Sequence, residues 1–441
     1  MSGGAHTPPR PPVVGHLPRL ANDPLRLLTA VQDTYGGREP LVRLDASAGP
    51  SVSAVLDAEL VHEILADRER FARPDFAPGT EQRKGLLSSD GRLWEQQRSV
   101  LEPEFVGASL GEYAEIASEK TTEMLAGWPA HGEIDLYREL STLTMRVITQ
   151  SLFSQDTTPE RAREVYEALD VTSAEFESDP GDFLLPDFLQ SGPSDAFRDA
   201  DATLEAAAEA FVDDHRNRQD PPTDMITALI EAEADPSVEL SDNELVDEAI
   251  LFMTAGQETT ALTITYAFHW LSQHPDARRR VTEEAQEVLG GDPPGWDDLP
   301  ELSFTERVVR ETLRLTPAAW NIARLAREPT TVAGTHLAAD DQLLLCPYAH
   351  HRDRNVWRAP TEFRPDRWDG EVSRSIDSYF PFGSGPRVCI GRQIALTEAQ
   401  FALAHVLQQY DVGVHTDRLD LQPSITLRPR TAMTATVDAR S

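Results

Sequence analysis

Apolar residues recur at three- and four-residue spacing along most of this chain, the period of helices that bury one face. The pattern predicts helices over residues 23–35, 58–66, 113–125, 136–152, 160–176 and 196–215. The first opens on Asp23-Pro24, an acid at the cap followed by proline at the first helical position. The clearest start is Ser241-Asp242-Asn243-Glu244, a capping box with Leu240 before it as a staple. Apolar positions then continue through Leu245, Ala249, Phe252, Met253, Leu262, Tyr266 and Trp270, and His274-Pro275 ends the run. That is about 33 residues, or about 50 Å of helix, enough to cross a whole domain. A second capping box, Ser303-Phe304-Thr305-Glu306, starts a helix that runs to Thr316-Pro317.

Strand patterns are short and few. Residues 41–44 and 51–56 alternate or carry β-branched side chains. Residues 330–333, ended by Gly334, and 342–346 suggest one hairpin-like pair. Residues 424–427 and 432–437 suggest another. The expected fold class is mainly α with small β-sheets. No Gly/Ser linker, repeat or sharp change of composition divides the 441 residues, so a single domain over 1–441 is expected. Residues 1–20 are read as an extended, proline-rich lead-in.

Charge and cysteine content narrow the function classes. Forty basic residues against 74 acidic ones give a net charge of −34, a balance that repels nucleic acid and anionic lipid. Lys84 and Lys120 are the only lysines. A GC-rich genome favours Arg over Lys, but the size of the imbalance favours a salt-rich cytoplasm, where charges are screened over ~3 Å at 1 M. No window holds 18 apolar residues and the N-terminus lacks a signal-peptide layout, so a cytoplasmic protein without a membrane span is expected. Of the two cysteines, Cys346 lies in the apolar run Leu343-Leu344-Leu345-Cys346 and reads as a small buried hydrophobe.

Cys389 sits in different company. Phe382-Gly383-Ser384-Gly385-Pro386-Arg387-Val388-Cys389-Ile390-Gly391 places it in a glycine-punctuated loop just before a helical sequence. Glycines permit tight turns, while Arg387 and the helix start both favour a thiolate, the form that meets a metal. A buried cysteine in a glycine-rich turn would require neither Phe382 nor Arg387. Elsewhere, Glu311 and Arg314 share a helix face, which alone describes an ordinary solvated pair. Ala255-Gly256-Gln257-Glu258-Thr259-Thr260 interrupts the long helix, and Gly256 there costs about 1 kcal/mol relative to Ala. Thr259 can bond back to the Ala255 carbonyl and bend the helix. An ordinary buried helix with a polar interruption remains the alternative. Trp94 and Arg98, four apart, share another helical face, a spacing that also arises by chance. His350-His351 is a poor metal site, because adjacent histidines in an extended segment point opposite ways.

The F-x-x-G-x-R-x-C-x-G loop, Glu311-x-x-Arg314, Phe363-Arg364-Pro365-Asp366-Arg367-Trp368 and [A/G]-G-x-[D/E]-T together resemble the cytochrome P-450 monooxygenases, from about residue 85 to the C-terminus. Residues 347–352 and the F-x-P-x-R-W form look more like the fatty-acid-hydroxylase-like branch than the camphor-type one. The resemblance implies the cytochrome P-450 fold and haem b, with Cys389 as the iron ligand. It implies cofactor contacts from Trp94, Arg98, Ala255, Gly256, Arg324, Phe382, Arg387 and Gly391, the arginines gripping propionates with their planar forks. By the same resemblance, Glu258 and Thr259 are the acid–alcohol pair that handles protons for oxygen. Glu311, Arg314 and Arg367 form a buried charge cluster behind the Cys389 loop. The implied partners are O2, a small apolar substrate, and a ferredoxin-type donor with its reductase, since no flavin or iron–sulfur domain is fused. The donor is expected on the face carrying the Cys389 loop, near Arg392 and Arg92. A monomer is expected. Residues 176–197, with Phe183, Leu184, Leu185, Phe188 and Leu189, read as an apolar entrance; Ala318, Ala319, Ile322 and Ile425 are pocket-wall candidates. A peroxide-driven peroxygenase and a non-enzymatic haem gas sensor are the alternatives, the first disfavoured because that branch usually lacks the acid–alcohol pair.

Overall fold

A computed structural model describes residues 16–44, 51–74, 83–175, 193–238, 240–369 and 377–440. The expected entrance residues Phe183, Leu184, Leu185, Phe188 and Leu189 lie outside them. The described residues are mainly helical, with small sheets. Helices appear at Pro24–Tyr35, Ala58–Ala66, Ala108–Ala126, Leu136–Phe153, Pro159–Glu175 and Asp195–Asn217, close to where the periodicity puts them. Part of the expected lead-in is not extended. Leu17–Asn22 is helical, with Pro18 in its first turn, where a missing N–H is harmless.

The chain folds into two compact units. The first takes Met1–Asp75, Arg310–Cys389 and Pro423–Leu427; the second takes the remainder. The first is organised by a five-stranded sheet of Leu41–Leu44, Val52–Val55, Gln342–Leu345, Ile322–Ala326 and Phe71–Ala72, in that order. Gln342–Leu345 pairs in parallel with Val52–Val55 and antiparallel with Ile322–Ala326. Both faces of the sheet are covered. Leu60, Val61, Ile64 and Leu65 of one helix pack with Leu343, Leu345 and Phe380. Leu28 and Val31 of another pack with Val42, Ala54, Leu344 and Cys346.

This sheet corrects both expected hairpins. Thr330–Val332 pairs with Thr335–Leu337, so the run at 342–345 is free to enter the large sheet. Thr434–Ala439 pairs with His131–Asp135 and Tyr410–Val414, not with the neighbouring run, and Leu427–Pro429 pairs with Leu421–Pro423. In each case a nearer short run takes the place of the expected partner, which pairs elsewhere.

The second unit is built around the helix Asp242–Gln273, which keeps its capping box: the Ser241 N–H donates to Glu244 Oε2 at 2.8 Å. Its second half is buried nearly all round. The helix at the second box is capped in part from elsewhere. The helix spans Ser303–Leu315, so Ser303 lies inside it; Glu284, from the helix Pro275–Leu289, accepts from the Phe304 and Thr305 N–H groups at 2.6 and 2.8 Å. A carboxylate from elsewhere thus fills the capping role that a local residue usually takes.

Candidate functional site

The Cys389 loop lies in the first unit and is a succession of tight turns. Gly383 and Gly385 have φ of 72° and 71°, a region that side chains disfavour. A Cβ on Gly385 would also meet the Leu65 carbonyl oxygen at 2.8 Å. The Val388 N–H donates to the Gly385 carbonyl and the Cys389 N–H to the Phe382 carbonyl, each at 3.0 Å. The loop therefore closes on itself and leaves Cys389 exposed. Cys346 is the opposite case: buried, its thiol directed at the Trp320 carbonyl and its pKa pushed up to about 12 by burial. Of the two sulfurs, only Cys389 is placed to meet a metal.

Behind this loop, still in the first unit, Glu311 and Arg314 have fully buried side chains. Arg314 Nε and Nη2 donate to Glu311 Oε2 and Oε1 at 2.9 and 2.8 Å, a two-pronged pair. Arg367 Nε reaches Glu311 Oε1 at 2.9 Å, so the expected three-charge cluster forms. The Arg364 N–H and the Trp368 indole complete five donors on one carboxylate. Arg314 also ties down the carbonyls of His351, Pro360 and Glu362. His351 supplies a link the sequence did not reveal. Its Nε2 accepts from the Phe380 N–H at 3.1 Å, joining the cluster to the start of the Cys389 loop. Burial, then the Arg314 charge, hold this imidazole well below its usual pKa, so it stays neutral and can accept that bond. Arg324, on Ile322–Ala326, is buried, and Arg387 is half-buried. Of the pocket-wall candidates, Ala318 is buried and Ile425 exposed.

In the second unit the long helix opens at its middle. Ala255 is exposed and Leu251, Phe252, Thr254, Gly256 and Thr259 are half-buried, although the helix is buried further on. The Thr259 hydroxyl donates to the Ala255 carbonyl at 2.8 Å, the local bond its sequence allows. On the other side Gly256 faces Ile148, whose Cδ1 would lie 2.6 Å from an added Cβ. Glu258 turns to Arg428, which binds Asp170 as well, at 2.8 Å. Arg428 is held protonated: burial works against its charge, but Glu258, Tyr137 and Asp170 outweigh it. Burial, then the Glu258 charge, push the Tyr137 hydroxyl pKa up. A cavity of about 10 Å³ lies among Tyr137, Asp170, Gln257, Glu258 and Arg428. Arg428 lies on the short strand Leu427–Pro429, and nothing local in the sequence pairs it with Glu258. Trp94 and Arg98 lie on Gly91–Leu101; Trp94 is buried and Arg98 reaches Glu102 at 3.4 Å. Gly391 caps the helix Arg392–Gln409.

The profile of the family described as Cytochrome P450 matches residues 6–435. This chain belongs to the cytochrome P450 family. It is 32% identical over 437 residues to cyclooctatin synthase of Streptomyces melanosporofaciens, covering 96% of this chain and 92% of that protein. It is 30% identical to pentalenene oxygenase of Streptomyces avermitilis, with 93% and 92% covered. With Cytochrome P450 3A6 of Oryctolagus cuniculus it shares 27% identity, over 85% of this chain and 78% of that one. None of these similarities supports the salt-adapted source expected from the charge. The chain is a cytochrome P450 monooxygenase by these relationships. The family implies a haem cofactor, and the residues suit one. An exposed cysteine on a fixed loop is the donor a haem iron takes. The small, exposed Ala255 at the helix opening suits a flat apolar surface, whereas the side-chain space at Gly256 is filled by Ile148. Among the described residues no helix is long and apolar enough to cross a membrane.

Proposed function

We propose that this P450 holds haem b through the Cys389 thiolate and inserts one atom of O2 into a C–H bond of a small apolar molecule. The observation that carries this reading is the closed loop that leaves Cys389 exposed while Cys346 is buried. Haem, when bound, supplies oxygen activation, and a thiolate ligand favours O–O cleavage. The protein's own groups have separate duties. Trp94, Arg98, Arg324 and Arg387 meet the propionates, while Ala255 leaves room for a flat group. The Thr259 hydroxyl, tethered to its own helix, and the Glu258 carboxyl move protons inward. Paired with Arg428, Glu258 is a carboxylate without a proton; when that pairing opens it takes up a proton from the outer side, where the exposed Asp170 lies, and can then pass it inward.

Two relatives are named for acting on pentalenene and cyclooctat-9-en-7-ol, an alkene and an alkenol by name. This supports a largely apolar substrate. Electrons come from a separate ferredoxin-type donor and its reductase, with Arg392 and Arg92 as docking charges. The whole chain acts as one cytoplasmic, monomeric haem domain.

Two variants test the reading. In the reduced, CO-bound protein the red-shifted Soret band of thiolate ligation should be present, and Cys389→His should abolish it. A band that persists in that variant removes Cys389 from the iron. Thr259→Ala should leave haem content intact and divert electrons to peroxide; unchanged coupling of NAD(P)H use to product would remove Thr259 from proton handling. Turnover with peroxide alone, as fast as with O2 and reductant, would replace the monooxygenase by a peroxygenase.

A further inference from the structure

The helix Ala58–Ala66 has no part in the motifs, yet it bears directly on the Cys389 loop. It is a firm platform. Asp57 caps it, accepting from the Leu60 N–H at 2.9 Å, and Leu60, Val61, Ile64 and Leu65 anchor it in a core cluster that includes Phe380. His62 stands between these anchors. Its Nε2 donates to the Asp377 carbonyl at 2.8 Å, and its Nδ1 shares a 2.7 Å hydrogen bond with Ser384 Oγ. In the neutral ring Nδ1 is then the acceptor of the Ser384 hydroxyl proton. The ring also stands edge-on to Phe380, with centroids 6.1 Å apart. One imidazole therefore grips two points of the chain, Asp377 and Ser384, that flank the turn leading to the ligand loop. Three residues further along the helix, the Leu65 carbonyl presses on Gly385, where a Cβ would sit at 2.8 Å.

We infer that His62 is a positioning residue for the thiolate: through Ser384 it fixes where the turn from Phe382 to Cys389 begins, and so where the sulfur stands. The inference rests on the proposed ligand role of Cys389. Ser384 leads into Gly385 and the hydrogen bonds that hold Val388 and Cys389, so a displacement at Ser384 is passed along a short, closed turn. His62 touches neither the sulfur nor a residue beside it, and acts only through the loop. The Arg314 cluster reaches the same loop from His351 at Phe380, so the loop is held from two sides by different chemistry.

The test uses the haem-loaded protein. In mild urea the reduced, CO-bound form converts from the thiolate band to the unshifted band, and the rate of that conversion is the readout, with the reduction potential as a second. A hydrogen bond lost changes such an equilibrium roughly fivefold. Ser384→Ala should convert about fivefold faster, and His62→Phe, losing both bonds, faster still. The double variant should be no worse than His62→Phe, because both changes break one link. His62→Gln keeps a donor for Asp377 and an oxygen for Ser384, and should return the rate to within about twofold of the parent. A purely structural role would lower the urea midpoint of the backbone signal while leaving the band conversion and the potential unmoved, and that result overturns the inference. If His62→Phe yields no haem protein, Ser384→Ala decides alone, and conversion at the parental rate overturns it. A Cys389→His variant that keeps the thiolate band would instead bring down the ligand assignment.

Discussion

Replacing Arg314 by alanine separates a buried cluster from the surface pair that Glu311-x-x-Arg314 could have been. As a solvated i,i+3 pair it would be worth ~0.2–0.5 kcal/mol. In the structure both side chains are fully buried and Arg314 makes five hydrogen bonds. Alanine removes the counter-charge of Glu311, leaves the His351 and Pro360 carbonyls without that donor, and opens a cavity the size of a guanidinium and its stem. Breaking a buried pair from one side costs about 3–5 kcal/mol. Arg367, the Arg364 N–H and the Trp368 indole still face Glu311, which argues for the lower half of that range. The cavity argues for the upper half. Even ~3 kcal/mol is a large share of a typical ~5–15 kcal/mol, and it is more than a hundredfold in the folding equilibrium. The haem-loaded variant should therefore show a urea midpoint lowered by that free energy with the slope unchanged, and most of the purified protein should lack haem. Arg314→Lys keeps the charge but not the planar fork, and should fall between. A loss below ~1 kcal/mol with normal haem content would refute the reasoning.

Two further outcomes follow from buried groups elsewhere in the fold. Glu398 accepts from the Tyr113 hydroxyl, and burial pushes its pKa up to about 8 from 4.5; a carboxyl pKa raised on folding means that the folded chain binds more protons than the unfolded one between those values, so stability falls as pH rises from about 4.5 to about 8. Each such group contributes at most ~1.4 kcal/mol per pH unit, Glu248 adds the same direction, and urea midpoints at pH 5 to 8 should show a shallower fall in Glu398→Gln; equal slopes would show that Glu398 is ionised in the fold. At Gly256, alanine should gain ~1 kcal/mol of helix propensity but must push the Ile148 methyl aside, so Gly256→Ala alone should change little and Gly256→Ala with Ile148→Val should be the more stable; a full gain from the single variant would mean Ile148 does not crowd the helix.

What could be read from the sequence was what local chemistry dictates. Ser241 and Glu244 cap each other across three residues, so the long helix announced itself. Gly383 and Gly385 of the Cys389 loop are required by positive φ, which is again local. Strand pairing is not local. Gln342–Leu345 is apolar nearly throughout because it is a central strand, so its pattern names neither neighbour, and the nearest β-prone run was taken as its partner. The helix Arg392–Gln409 shows the same limit from another side. It buries Thr397, Glu398, Gln400 and His405 beside its apolar residues, so no amphipathic stripe marks it.

The side chains that escaped the sequence reading share one property: each works through a partner far away along the chain. Arg428 finds Glu258 and Asp170, His351 finds Phe380 and Arg314, and His62 finds Asp377 and Ser384. Arg428 and His62 belong to no spaced motif, because a motif records groups that serve the chemistry from one local segment. Support for such a segment can come from any element that the fold brings close, and a burial cost selects polar side chains there only if they are fully paired. His62 and Arg428 meet that condition with distant partners, one at a helix face and one on an edge strand, whereas His351 bonds through Nε2 and leaves its buried Nδ1 without a partner. Function in this P450 is therefore recorded in two layers, a contiguous one that spacing reveals and a dispersed one that only packing assembles.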